Sequence, residues 1–83
     1  MNFDTLGELD SRIIRAEARY GPYSSAHEAL GVCLEEWNEL CDEVRRNSRE
    51  AIRYEALDLA AALIRLYEGL TMGSKMADRS NAK

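Results

Sequence analysis

Two long segments with the apolar spacing of α-helices, separated by a few polar residues, constrain the fold of this chain most. The first follows Ser25, the second ends at Leu70, and the break lies at residues 45–48. In the first segment the apolar positions, three or four residues apart, are Ala26, Leu30, Cys33, Trp37, Leu40 and Val44. This spacing predicts a helix with one continuous packing face. Because the connection is short, the two helices should lie antiparallel.

Capping signals set the boundaries of the predicted helices. Thr5 with Glu8, and Ser25 with Glu28, have the spacing of capping boxes, in which a hydroxyl and a carboxylate satisfy free backbone N–H groups. The pair Gly21-Pro22 ends the first helix, because glycine suits the position after a helix and proline cannot continue one. The predicted helices are residues 5–20, 26–46 and 49–70.

The fold class predicted from these signals is all-α. We expect an antiparallel bundle of three main helices forming one domain over residues 1–70, followed by a flexible C-terminal tail, residues 71–83. A chain of 83 residues buries only about 60% of its unfolded surface, so its own core is thin. Oligomerisation, as a homodimer or homotetramer, is the expected way to complete the bundle.

Charge and apolar content exclude several classes of protein. The net charge of −4 and the absence of a basic stripe argue against nucleic-acid binding, although a nucleotide remains compatible through a bound metal. The longest apolar run, residues 59–64, is too short for a membrane span, and no signal peptide is evident. Cys33 and Cys41 are too far apart on one helix to form a disulfide, which favours a cytoplasmic protein.

Two pairs of carboxylates, each three residues apart, are the candidate functional groups. Glu36 and Glu39 share one side of the second helix, and Glu55 and Asp58 share one side of the third. If the two sides face each other, four negative charges converge, and a hard cation such as Mg²⁺ would stabilise them. A simpler interpretation is a solvated acidic flank on the second helix. Asp58 could also form a structural ion pair with Arg53 or Arg65.

The motif Glu36-x-x-Glu39, followed after fifteen residues by Glu55-x-x-Asp58, resembles the signature of MazG-like all-α nucleoside triphosphate pyrophosphohydrolases. The resemblance covers roughly residues 20–70. It implies that the four acidic residues bind Mg²⁺ and that the substrate is a nucleoside triphosphate, hydrolysed to a monophosphate and pyrophosphate. Glu35, beside the motif, is a candidate to orient or deprotonate the attacking water.

The chain departs from larger family members, which have a further helix with basic and asparagine residues that hold the phosphates and base. Only Lys75 and Arg79 follow the third helix here. Arg53, Arg65 or a neighbouring chain are the alternative phosphate ligands. His27 is expected to be partly exposed, Trp37 to pack in the core or an interface, and the tyrosines at 20 and 23 to anchor the turn or line a pocket mouth.

Two other functions are compatible with the sequence. A non-enzymatic helical interaction or regulatory module would dimerise through the apolar faces and should melt at the same temperature with and without Mg²⁺. A di-iron carboxylate bundle needs Glu-x-x-His motifs, and the single histidine, His27, is not in one.

Overall fold

Three helices make up nearly all of residues 1–71, the part of the chain that a computed structural model describes. Helix α1 spans Phe3–Tyr20, α2 spans Ala26–Arg46 and α3 spans Arg49–Thr71. The all-α prediction is therefore confirmed, with every boundary within two residues of its expected position. No β-strand occurs in this part of the chain, and none of its helices could cross a membrane. Apart from Thr71, the predicted tail lies outside the described residues.

One of the two predicted capping boxes is formed. At the start of α2, the Ser25 hydroxyl accepts a hydrogen bond from the Glu28 N–H at 3.0 Å, and the Glu28 carboxylate accepts one from the Ser24 N–H at 2.7 Å. The capping box predicted at Thr5 is wrong. Helix α1 begins earlier because the side chain of Asn2 accepts a hydrogen bond from the Thr5 N–H at 2.8 Å.

Both connections are short and are closed by a residue with positive φ. Gly21, with φ of 74°, ends α1 and donates its N–H to the Glu17 carbonyl at 2.9 Å. Asn47, with φ of 58°, ends α2, and the Ser48 hydroxyl then accepts the Ala51 N–H at the start of α3. These two turns fold the chain back on itself twice.

Helix α3 packs against both other helices and is the centre of the fold. The start of α2 lies near the end of α3, since Tyr23 donates a hydrogen bond to the Ala62 carbonyl at 3.3 Å. The core is built mostly from small side chains. The buried apolar residues are Tyr23, Ala29, Cys33, Ala61 and Ala62. This core is thin, and both cysteines are free thiols.

The predicted packing face of α2 is divided in the structure. Cys33 is buried, but Leu30, Trp37 and Val44 are each more than 50% exposed. The reason is that α3 approaches α2 over the small side chain of Ala29, one position round the helix from Leu30. The larger residues are consequently left on an outer surface, and the expectation that Trp37 packs in the core of this chain is not met.

Candidate metal centre

Three of the four candidate metal ligands converge between α2 and α3. Glu36 and Glu39, one turn apart on α2, face Glu55 on α3, and one carboxylate oxygen of each lies within 4.8 Å of the other two. We call these three residues the carboxylate cluster. The convergence follows from the i, i+3 spacing on α2 and from the opposite directions of the two helices, which bring the middle of α2 beside the first half of α3.

Two oxygens of the carboxylate cluster are buried without a partner. The Oε2 atoms of Glu36 and Glu55 have no hydrogen-bond donor within residues 1–71. Burial raises the pKa of Glu55 to about 7, aided by a hydrogen bond with Glu39 and by the negative charges nearby. Burial also raises the pKa of Glu36, and repulsion from neighbouring carboxylates adds to the effect. The site is thus electrostatically unfavourable for the ionised protein alone.

Asp58 does not join the cluster. Its carboxylate accepts a hydrogen bond from Arg12 of α1 at 2.6 Å, in an ion pair whose arginine side chain is only 16% exposed. The expectation that four carboxylates converge is therefore corrected to three, with the fourth bound to a cation from another helix. The sequence offered Arg53 or Arg65 as the structural partner of Asp58, but the partner is Arg12.

A cleft of about 810 Å³ opens between α1 and the other two helices, beside the carboxylate cluster. One wall is acidic, with side chains of Glu28, Glu35, Glu36, Glu39 and Asp58. The other carries arginines 12, 15 and 19 of α1, which we call the α1 arginine face. Glu55 does not line the cleft, so its cluster reaches the cavity through its two α2 members.

The closed end of the cleft is a fully partnered polar contact. The guanidinium of Arg65 on α3 donates to the Glu17 carboxylate at 2.5 Å and to the Gly21 carbonyl at 2.8 Å. It also lies 4.3 Å from the ring centre of Tyr23. Arg65 is only 7% exposed. This contact fastens the α1–α2 turn to α3, which confirms the anchoring role expected of Tyr23 and leaves Arg65 without a free donor face for phosphate.

The other sequence candidates are distributed differently. Glu35 is exposed and lines the cleft, as its assignment to the attacking water requires. Arg53 is outside the cleft and pairs with Glu50 at 3.4 Å. Tyr20 lines the cleft mouth and is 70% exposed, whereas Trp37 does not line it. His27 is exposed, as expected. Lys75 and Arg79 lie outside the described residues.

The α1 arginine face was missed in the sequence. Arg12, Arg15 and Arg19 are three and four residues apart, which places them on one side of a helix. That spacing was readable beside the apolar stripe of α1. What spacing alone does not give is the side of α3 on which α1 packs, and this decides that the arginines face the acidic wall.

The geometry of the carboxylate cluster fits a divalent cation. Two oxygens bound to one Mg²⁺ are at most about 4.2 Å apart, so the cluster would need only a small contraction. The buried, unpartnered oxygens of Glu36 and Glu55 are the acceptors that a cation would satisfy. No model of a known protein family matches the sequence, and no curated protein or solved structure is significantly similar to it.

Proposed function

We propose that this chain is a MazG-like, Mg²⁺-dependent nucleoside triphosphate pyrophosphohydrolase. The observation that carries the proposal is the carboxylate cluster itself, with its two buried oxygens that lack partners. The adjoining cleft has the volume of a small-molecule site. Its acidic wall suits a metal, and the arginines opposite suit an anion that carries phosphates.

Glu36, Glu39 and Glu55 would hold the Mg²⁺, and Asp58 would become a fourth ligand by exchanging Arg12 for the cation. When bound, Mg²⁺ supplies neutralisation of the negative charge that develops on the leaving pyrophosphate. Glu35 would accept a proton from water as the water oxygen bonds to the α-phosphorus. The bond from that phosphorus to the α–β bridging oxygen breaks, which yields a nucleoside monophosphate and pyrophosphate.

We also propose that a second copy completes an antiparallel bundle as a homodimer or homotetramer. An outer apolar face supports this idea. Its half-exposed residues are Leu30, Leu34, Trp37 and Val44 of α2, with Leu63, Tyr67 and Leu70 of α3. At about 100° per residue these positions fall on the flanks opposite the cleft, so a second copy would cover them and leave the site open.

Sedimentation velocity tests the association. Trp37→Glu places a charge at the centre of the outer apolar face and should dissociate the oligomer, because a charge at the core of an interface is strongly unfavourable. Arg45→Glu, at an exposed position near the end of α2, is the control and should not. A wild-type protein that is monomeric at micromolar concentration contradicts this part of the proposal.

The outer apolar face also supports the second candidate, a cytoplasmic helical interaction module without catalytic activity. Such a module would use the same face on a partner and would need no metal. The carboxylate cluster makes this the weaker proposal, because an interaction module gains nothing from two buried oxygens that lack partners.

Pyrophosphate release from a panel of nucleoside triphosphates, with Mg²⁺, tests the enzyme proposal. Wild type should release pyrophosphate, and Glu36→Gln should lose at least about 100-fold in kcat/KM, since one metal ligand loses its charge. Glu50→Gln is the matched control, because Glu50 is exposed and pairs only with Arg53. Equal rates for Glu36→Gln and Glu50→Gln would exclude the cluster from the reaction.

A further inference from the structure

We infer that α1 is the phosphate-binding wall of the cleft, with Arg15 and Arg19 as the residues that contact a polyphosphate chain. The inference rests on the proposed function and adds to it the source of the phosphate contacts. It differs from the candidates considered from sequence, since Arg65 is buried in the turn contact and Arg53 is outside the cleft.

The first argument is availability. Arg15 and Arg19 are both exposed and line the cleft. Within residues 1–71 neither forms an ion pair with a carboxylate, and Arg19 contacts only the Tyr20 ring, 5.3 Å from its centre. By contrast, arginines 45, 46 and 53 are all engaged with acidic residues three positions away. The two α1 guanidinium groups therefore have free donors.

The second argument is the separation of charge across the cleft. The neighbours that influence the pKa of Glu36 and Glu55 are all carboxylates. The α1 arginines thus do not neutralise the carboxylate cluster, although they border the same cavity. A ligand that satisfies both walls must carry a cation toward α2 and α3 and several negative oxygens toward α1. A polyphosphate with its divalent cation has this distribution of charge.

The third argument is geometry along the helix. Arg15 and Arg19 are four residues apart, so their Cα atoms are about 6 Å apart along one side of α1. Two planar guanidinium groups at this spacing can contact successive phosphates of one chain, each with paired donors. Arg12, one turn earlier, is already bound to Asp58 and is not included in this site.

Calorimetric titration with inorganic tripolyphosphate in the presence of Mg²⁺ tests the inference without any turnover of a nucleotide. Wild type should bind, and Arg15→Ala/Arg19→Ala should bind at least about 10-fold more weakly. Arg45→Ala/Arg53→Ala removes the same charge from outside the cleft and should bind within about twofold of wild type. Arg15→Lys/Arg19→Lys should recover part of the affinity, because lysine keeps the charge but not the paired donors.

A second titration, with Mn²⁺ alone, separates the phosphate wall from the metal site. Arg15→Ala/Arg19→Ala should bind Mn²⁺ as wild type does. The inference is overturned if this variant loses Mn²⁺ as well, if it binds tripolyphosphate as tightly as the control, or if wild type does not bind tripolyphosphate. Pyrophosphate release with arginine-independent binding would leave the proposed function intact and remove only the inference. Arginine-dependent binding without pyrophosphate release from any nucleotide would do the reverse.

Discussion

The two halves of α3 handle charge in opposite ways. In the second half, Arg65 is buried, and its guanidinium contacts a carboxylate, a backbone carbonyl and an aromatic ring. In the first half, Glu55 is partly buried beside two other carboxylates, with one oxygen unpartnered. Buried polar groups in proteins are normally satisfied, so the first arrangement is what stability requires, and the second indicates a missing ligand.

Removing the satisfied partner should have the largest effect. Arg65→Ala takes away the contacts that fasten the α1–α2 turn to α3 and should reduce the free energy of unfolding by about 3–4 kcal/mol. A domain of this size has little more than that in total, so the variant should be largely unfolded near its physiological temperature. Urea denaturation measures the loss.

Arg53→Ala is the matched control for that measurement. Its guanidinium is exposed and pairs with an exposed carboxylate, so the cost should be under about 0.5 kcal/mol. If the two variants unfold at the same urea concentration, the buried contact is not the structural anchor, and the comparison between the halves of α3 is lost.

The unsatisfied half should make metal-free stability depend on pH. The unfolded chain releases the Glu55 proton near pH 4.5, whereas the folded protein keeps it until about pH 7. Between these values the folded state binds more protons, so the free energy of unfolding should fall as pH rises, by about 2–3 kcal/mol. It should then stay low above pH 7.

Urea denaturation with a chelator, at pH 4.5 and pH 8, measures this fall. Glu55→Gln cannot titrate and should show a fall smaller than wild type by most of that amount, while Glu50→Gln should behave as wild type. A fall of the same size in Glu55→Gln and wild type would mean that Glu55 is not strained in the folded protein.

The ion pair between Arg12 and Asp58 lies between the two extremes. It is partnered, but its aspartate adds negative charge to the carboxylate cluster. Asp58→Asn should cost about 1 kcal/mol, because relief of repulsion offsets part of the lost pair. A double-mutant cycle with Arg12→Gln should give a coupling of about 1–2 kcal/mol, against under about 0.5 kcal/mol for Glu50 and Arg53. Equal couplings would make the Asp58 pair an ordinary surface contact.

Local signals in the sequence predicted the helices well, because capping residues and apolar spacing act within a few residues. The end of α1 at Gly21 and the start of α2 at Ser25 follow from backbone chemistry that needs no tertiary context. The start of α1 was placed too late, because Asn2 and Thr5 are both suitable caps and Asn2 is the one used.

The side of each helix that faces a neighbour was predicted less well. The apolar positions of α2 formed an unbroken series, yet α3 packs over Ala29 and leaves Trp37 half exposed. Likewise, the carboxylate spacing predicted three members of the cluster, but the pairing of Asp58 with Arg12 depends on where α1 lies. Spacing fixes which residues share a side; helix packing, decided by side-chain volume across the whole core, fixes what that side meets.

The melting temperature with and without Mg²⁺ at pH 7.5 tests most directly the central claim that the carboxylate cluster is a cation site. At a free Mg²⁺ concentration about 100 times the dissociation constant, the folded state gains about 2.7 kcal/mol, a rise on the order of 10 °C for a domain of this size. Wild type and Glu50→Gln should show this rise, and Glu36→Gln should show little of it. An unchanged melting temperature for wild type, at Mg²⁺ concentrations up to tens of millimolar, would contradict the claim.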